Sequence, residues 1–245
     1  MIASLREVWV SGEHGRHALA GISLQLDAGE SVALVGRNGS GKTTVLRVLA
    51  GLTRPTRGSA EVFGVDPGAL DDGRARRVRE QIGYAFESFG LWSTRTVGEN
   101  VALPLVYHRG GGDVVALARE LGIEGALGLL PARVDASVKK RALLARALVL
   151  GPRLLLCDEP GFGLVHDEAA KVARAIERRR AEGMTVLMTD HDGELGPYVA
   201  TRRLHLDGGV LVDGARPRLA PCVDVHDDEL PPASLRAESV RGSLA

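Results

Sequence analysis

A chain of 245 residues, 44% of them apolar, is long enough to bury a sizeable core, which excludes a disordered or fibrous polypeptide. Its 31 basic residues balance 31 acidic ones, so no global field draws it to nucleic acid or to an anionic membrane, and no nucleic-acid partner is expected. Two cysteines, Cys157 and Cys222, cannot build a disulfide framework and fit a reducing compartment.

The first ten residues hold a charge pair by residue 7 and no apolar run suited to a signal peptide, so no export is expected. LREVWV (5–10) and ISLQL (22–26) predict antiparallel edge strands. Val32 to Val35 is continuously apolar, as expected of a strand buried on both faces of a parallel sheet, and Thr43 to Ala50 predicts a helix stopped by Gly51. Arg74, Arg76, Arg77 and Arg79 read as a solvated helix face. Residues 96–150 are mainly helical in pattern and interrupt the sheet as a second lobe. Leu154 to Cys157 and Val186 to Thr189 repeat the buried-strand pattern. Between them, Asp167 to Glu182 carries an apolar stripe of Ala169, Ala170, Val172, Ala173 and Ile176 before Gly183. Leu204 to Gly214 predicts a hairpin turning at Asp207-Gly208-Gly209, and residues 215–245, with four prolines and Asp227-Asp228-Glu229, read as a docking or disordered tail. The most apolar region, Ala142 to Cys157, is broken by Arg146, Gly151-Pro152 and Arg153, far from the roughly 20 apolar residues of a membrane span.

GRNGSGKTT follows the first buried strand and opens a helix, the setting in which a phosphate loop works. Glycines let successive backbone N–H groups converge on phosphate oxygens, and the helix N-terminus adds its positive dipole. The expected nucleotide-binding set is Gly36, Arg37, Asn38, Gly39, Ser40, Gly41, Lys42, Thr43 and Thr44, with Lys42 reaching the β- and γ-phosphates and Thr43 binding Mg²⁺. RLLLCDEP ends a second buried strand in two acids: Asp158 holds the hydrated Mg²⁺, and Glu159 stands where a base orients the attacking water. His191, after the third strand, is placed to contact the γ-phosphate.

With these motifs in this order, the chain resembles the nucleotide-binding subunit of an ATP-binding-cassette (ABC) transporter over about residues 2–214. The resemblance implies an α/β phosphate-loop NTPase with a RecA-like core, an antiparallel β subdomain and a helical subdomain at about 96–150. It also implies a dimer that sandwiches ATP between one subunit's phosphate loop and the other's signature loop, docked on an integral membrane permease at the cytoplasmic, inner face of the membrane. IGYAFESFGLWSTRTVGENVALPL (82–105) is most similar to the ATPases of Mce-type lipid transporters. Leu91 and Trp92 fall where the family meets its permease.

The chain departs from the family's pattern at several positions. The family's Mg²⁺-linked glutamine is Glu87, which keeps an oxygen ligand but adds charge beside the triphosphate. The adenine-stacking aromatic aligns near Gly12, with Trp9, His14 and His17 displaced around it. The small-residue loop that normally ends in a trans-acting aspartate ends in Val165. The signature, usually leucine, serine, two glycines and glutamine, reads Val134, Asp135, Ala136, Ser137 and Val138. Asp135 puts a carboxylate where a γ-phosphate arrives, a repulsion of roughly 4 kcal/mol at about 4 Å and an effective dielectric near 20. Groups acting on the chain's own ATP are kept, apart from Glu87, and those offered to a partner are lost. This asymmetry predicts a heterodimer with a second ABC ATPase subunit rather than a homodimer. The competing expectation is a nucleotide-gated scaffold or regulator that binds ATP and turns over little.

Overall fold

The computed structural model describes residues 1–12, 17–68, 72–86, 90–190 and 195–212. Two sheets carry the architecture. The smaller is antiparallel, in the order β2-β1-β4, from β1 (Ala3–Ser11), β2 (His17–Leu26) and β4 (Arg57–Val62). The larger has six strands in the order β5-β6-β7-β3-β8-β9: β3 (Ser31–Val35), β5 (Ile82–Ala85), β6 (Leu154–Cys157), β7 (Thr185–Thr189), β8 (Arg202–Asp207) and β9 (Val210–Leu211). All its pairings are parallel except β8 with β9.

Continuous apolar runs were expected of strands covered on both faces, and the packing gives the reason. Leu154 and Leu156 of β6 enter one core with Val32, Leu34 and Leu187, while Leu155 and Cys157 enter another with Ala33, Val186 and Met188. Alternate side chains on each strand therefore meet different layers. The first core also takes α1 (Lys42–Leu49) and the inner faces of β1 and β2. The second takes α3 (Val97–His108), α4 (Val114–Glu120), α5 (Ala136–Leu148) and α6 (His166–Ala181). The helices found between 97 and 148 thus close over one face of the larger sheet.

The expected hairpin is present, with Asp207 paired to Val210 across Gly208 and Gly209, whose φ values of 53° and 81° suit a tight two-residue turn. The arginine run lies on α2 (Asp72–Arg79), where Arg76 pairs with Glu80 at 3.1 Å and Arg79 lines a groove instead of facing only solvent. The remaining helix, α7 (Gly196–Val199), packs beside β3. Among the described residues no helix is long and apolar enough to cross a membrane. The tail at 215–245 lies outside the described residues.

Candidate functional site

The chemistry-bearing residues collect at the carboxyl ends of β3, β7 and β6, which lie side by side in the sheet. Parallel strands leave a crevice at that edge, where ligands of open α/β sheets bind. The phosphate loop follows β3. A Cβ on Gly36 would stand 2.0 Å from the Leu206 carbonyl oxygen, and one on Gly41, at φ 106°, would stand 2.5 Å from that of Ala18. Only glycine lets the loop pass this close to β8 and β2. Gly41 caps α1 without any side-chain acceptor, so the first-turn amides remain for an anion. The Ser40 hydroxyl, in the same loop, is buried without a hydrogen-bond partner. Lys42 is buried, and its ammonium donates to the carbonyls of Gly36 at 2.7 Å and Arg37 at 3.1 Å.

Thr43 reaches across the crevice: its hydroxyl lies 3.1 and 3.0 Å from the two carboxylate oxygens of Asp158. Thr189, at the end of β7, sits between the strands and completes the cluster. Its hydroxyl donates to Asp158 Oδ1 at 2.7 Å and accepts from the Glu159 amide at 2.9 Å. Sequence reasoning missed Thr189; a polar residue ending an apolar strand that neighbours the DEP strand was the available signal. Glu159 itself has φ 47°, a left-handed conformation uncommon outside glycine. His191 and Glu87 lie outside the described residues.

The segment from Val134 to Val138, expected from the resemblance to face a partner, is built differently. Asp135 caps α5, with its Oδ1 accepting from the Val138 amide at 2.8 Å and standing 2.9 Å from the Ser137 hydroxyl. These bonds, the Val138 amide first, hold its carboxyl below the usual aspartate range. The carboxylate anticipated from the sequence is therefore turned onto its own helix N-terminus, where it takes up a donor. Ser137 also lies 2.8 Å from Glu168 Oε1, and the buried Arg141 donates to that oxygen at 2.6 Å. At the start of α6, Val165 is 66% exposed and its amide donates to Glu168 Oε2 at 3.3 Å. Valine has no acceptor to return the bond.

Trp9 and His17 meet edge to face, with centroids 5.0 Å apart, and the next residue, Ala18, abuts Gly41 of the phosphate loop. Leu91 lines a cavity of ≈ 260 Å³ with Ser137, Lys140 and Phe162. Trp92 is exposed under the Arg95 guanidinium.

A model of the ABC transporter family matches residues 19–161, more than half of the chain and the span from β2 through the DEP strand. The chain belongs to the ABC transporter family. Its ABC ATPase fold is matched by the dimeric structure of the ATP-binding cassette MJ0796 in a post-hydrolysis state bound to ADP and phosphate. That likeness has a TM-score of 0.81 at 26% identity and covers 90% of this chain and 100% of that one. Among curated relatives, a macrolide export ATP-binding/permease protein, MacB of Bordetella avium, is 33% identical over 100% of this chain and 40% of its own length. A methionine import ATP-binding protein, MetN of Cereibacter sphaeroides, is 36% identical over 80% of this chain and 57% of its own length. The chain thus spans about two fifths to three fifths of the length of these relatives.

Proposed function

We propose that this ABC ATPase hydrolyses ATP in the crevice between Lys42, Thr43, Asp158 and Glu159, and that hydrolysis drives a membrane permease. The observation that carries this reading is the convergence of the Thr43 hydroxyl and the Asp158 carboxylate at 3.0 Å, one residue before Glu159. Two oxygen donors of this kind fit a hard cation that keeps several waters, and they would hold Mg²⁺. When bound, Mg²⁺ neutralises charge on the β- and γ-phosphates. Lys42 exchanges its loop carbonyls for phosphate oxygens, and Glu159 orients the attacking water as general base. His191 contacts the γ-phosphate and Glu87 adds an oxygen ligand in this proposal. The Trp9 and His17 rings are the candidate adenine contact, because β2 passes the phosphate loop at Ala18, next to His17, and Trp9 of β1 packs edge to face on His17.

The permease docks on a groove of ≈ 280 Å³ between the end of α1, β5, α3 and α5, walled by Leu52, Tyr84, Pro104, Tyr107 and Leu150. Leu52 and Tyr107, both in its wall, are exposed, which supports an apolar contact there. The cargo is set by the permease. The 82–105 segment favours a lipid, whereas the matched relatives are named for macrolide export and methionine import. The second subunit is a different ABC chain, since Asp135 and Val165 equip this one poorly to complete a copy of itself. The self-capped signature also favours the scaffold reading, in which ATP binds and turns over little.

One experiment separates these readings: ATPase activity of the purified chain alone, then with its co-purified membrane partner, beside Glu159→Gln. The expected result is weak activity alone, strong activity in the complex, and its loss in the Glu159→Gln complex. Vigorous hydrolysis by the isolated chain would sink the heterodimer, and an unaffected Glu159→Gln complex would sink the base assignment. A complex as inactive as the isolated chain would favour the scaffold.

A further inference from the structure

Glu159 is held from both sides of its own backbone. Its φ of 47° is a conformation visited by few residues with a side chain, and Pro160 follows it, so local preference does not keep it there. A left-handed residue of this kind persists when its surroundings over-determine it. On the amide side the constraint is Thr189, at 2.9 Å. On the carbonyl side it is Lys140, from the second turn of α5: its ammonium donates to the Glu159 carbonyl at 3.3 Å and to that of Phe162 at 2.8 Å. The same ammonium lies 5.1 Å from the centroid of the Phe162 ring, within range of a cation–π contact. Three donors on one compact head let a single lysine make all of these contacts.

We propose that Lys140 is a positioning residue for ATP hydrolysis: it fixes the left-handed backbone of Glu159, and so the direction in which the Glu159 side chain leaves the chain, and ties both to α5. This inference rests on Glu159 being the base. Its consequence is a mechanical link within one subunit. α5 starts just after its cap Asp135, on the side that the proposed dimer offers to a partner, and Phe162, 51% exposed, lines a cavity with Ala136 and Ser137. A partner that shifts α5 or covers Phe162 moves the group that holds Glu159. A lysine that served only to satisfy two surface carbonyls would affect stability without acting through Glu159.

The test uses the complex purified through a tag on this chain, with single-turnover hydrolysis of radiolabelled Mg-ATP and nucleotide affinity measured separately. The variants are Lys140→Met, Lys140→Arg, Glu159→Gln and the double variant Lys140→Met/Glu159→Gln. Lys140→Met is expected to slow hydrolysis about tenfold with nucleotide affinity changed by less than about twofold, the pattern of an interaction needed only in the transition state. Lys140→Arg, which keeps a cation and several donors, restores the rate to within about threefold of the parent. In the Glu159→Gln background, Lys140→Met adds no further loss, because its effect passes through the group already removed. An unchanged rate in Lys140→Met, a loss explained by weaker nucleotide binding, or a full further tenfold fall in the double variant would overturn the proposal. Failure of the base assignment shows separately, as normal hydrolysis by Glu159→Gln alone.

Discussion

Replacing Asp135 by serine separates the two things its carboxylate does. The side chain caps α5 through the Val138 amide at 2.8 Å, and it places a negative charge on the exposed start of that helix. Serine and asparagine cap about as well as aspartate, so Asp135→Ser and Asp135→Asn keep the helix and remove only the charge, whereas Asp135→Ala also forfeits about 1 kcal/mol of cap. For a γ-phosphate about 4 Å away, the charge costs about 1 kcal/mol at the dielectric of water and roughly 4 kcal/mol at an effective value near 20. Because Asp135 is exposed, the low end applies, and about 1 kcal/mol corresponds to roughly fivefold in rate. The ATPase rate of the isolated chain at high protein concentration is therefore expected to rise about fivefold in both charge-free, capped variants, with the gain shrinking at high salt. The cap has its own signature. Since the folded-state pKa of Asp135 is depressed, its stabilisation is present above the unfolded value near pH 4 and lost as pH falls through the folded one. Asp135→Asn should flatten the acid limb of the thermal midpoint against pH. Unchanged ATPase rates in the serine and asparagine variants, with destabilisation confined to alanine, would make Asp135 a cap alone and refute the argument from charge.

Two further predictions concern stability. Arg141, 5% exposed at its side chain, donates to Glu168 at 2.6 Å and to the carbonyls of Leu121 and Gly122 at 3.0 and 3.1 Å. Arg141→Met removes the buried cation from Glu168 and the donor from two carbonyls, and should cost about 3–5 kcal/mol, read as a fall in the urea midpoint at constant slope; a loss below about 1 kcal/mol would contradict the network. Tyr84 presents the opposite case, since its hydroxyl is buried without a partner and burial pushes the phenol well above its usual range. Tyr84→Phe is expected to be neutral or stabilising by up to about 1 kcal/mol in a thermal scan, and a loss of about 2 kcal/mol would reveal a partner the structure does not show.

Legibility in the sequence followed the locality of each cause. β3, β6 and β7 were readable because burial on both faces makes their central runs apolar, as the split of Leu154 and Leu156 from Leu155 and Cys157 shows. β4 was not: its first three residues, Arg57, Gly58 and Ser59, are exposed, and its main pairing partner is β1, some fifty residues away. β5 spans four residues, too few for a period, and is fixed by pairing with β6. The same distinction runs through the site. The phosphate loop is one local motif whose glycines answer to close approaches at Leu206 and Ala18. Thr189 and Lys140 act on Glu159 only because the fold brings β7 and α5 beside it, from 30 and 19 positions away.

The structure also joins two departures that the sequence presents as separate. Asp135 starts α5 and Val165 stands before α6, and one carboxylate serves both starts: Glu168 takes Arg141 at 2.6 Å and lies 2.8 Å from Ser137 through Oε1, while its Oε2 takes the Val165 amide at 3.3 Å. Ser137 has a single hydroxyl proton to share between Asp135 and Glu168, so its hydroxyl is already engaged by two carboxylates of its own chain. A helix N-terminus attracts an anion through unsatisfied donors and positive potential, and here a resident carboxylate consumes both. The starts of α5 and α6 are thus satisfied from within the chain, while the phosphate loop keeps an uncapped helix start whose amides no side chain covers. On the proposed heterodimer, this difference in capping between α1 and α5 is the physical form of the asymmetry: one helix start is left open to an anion and the other is closed to it.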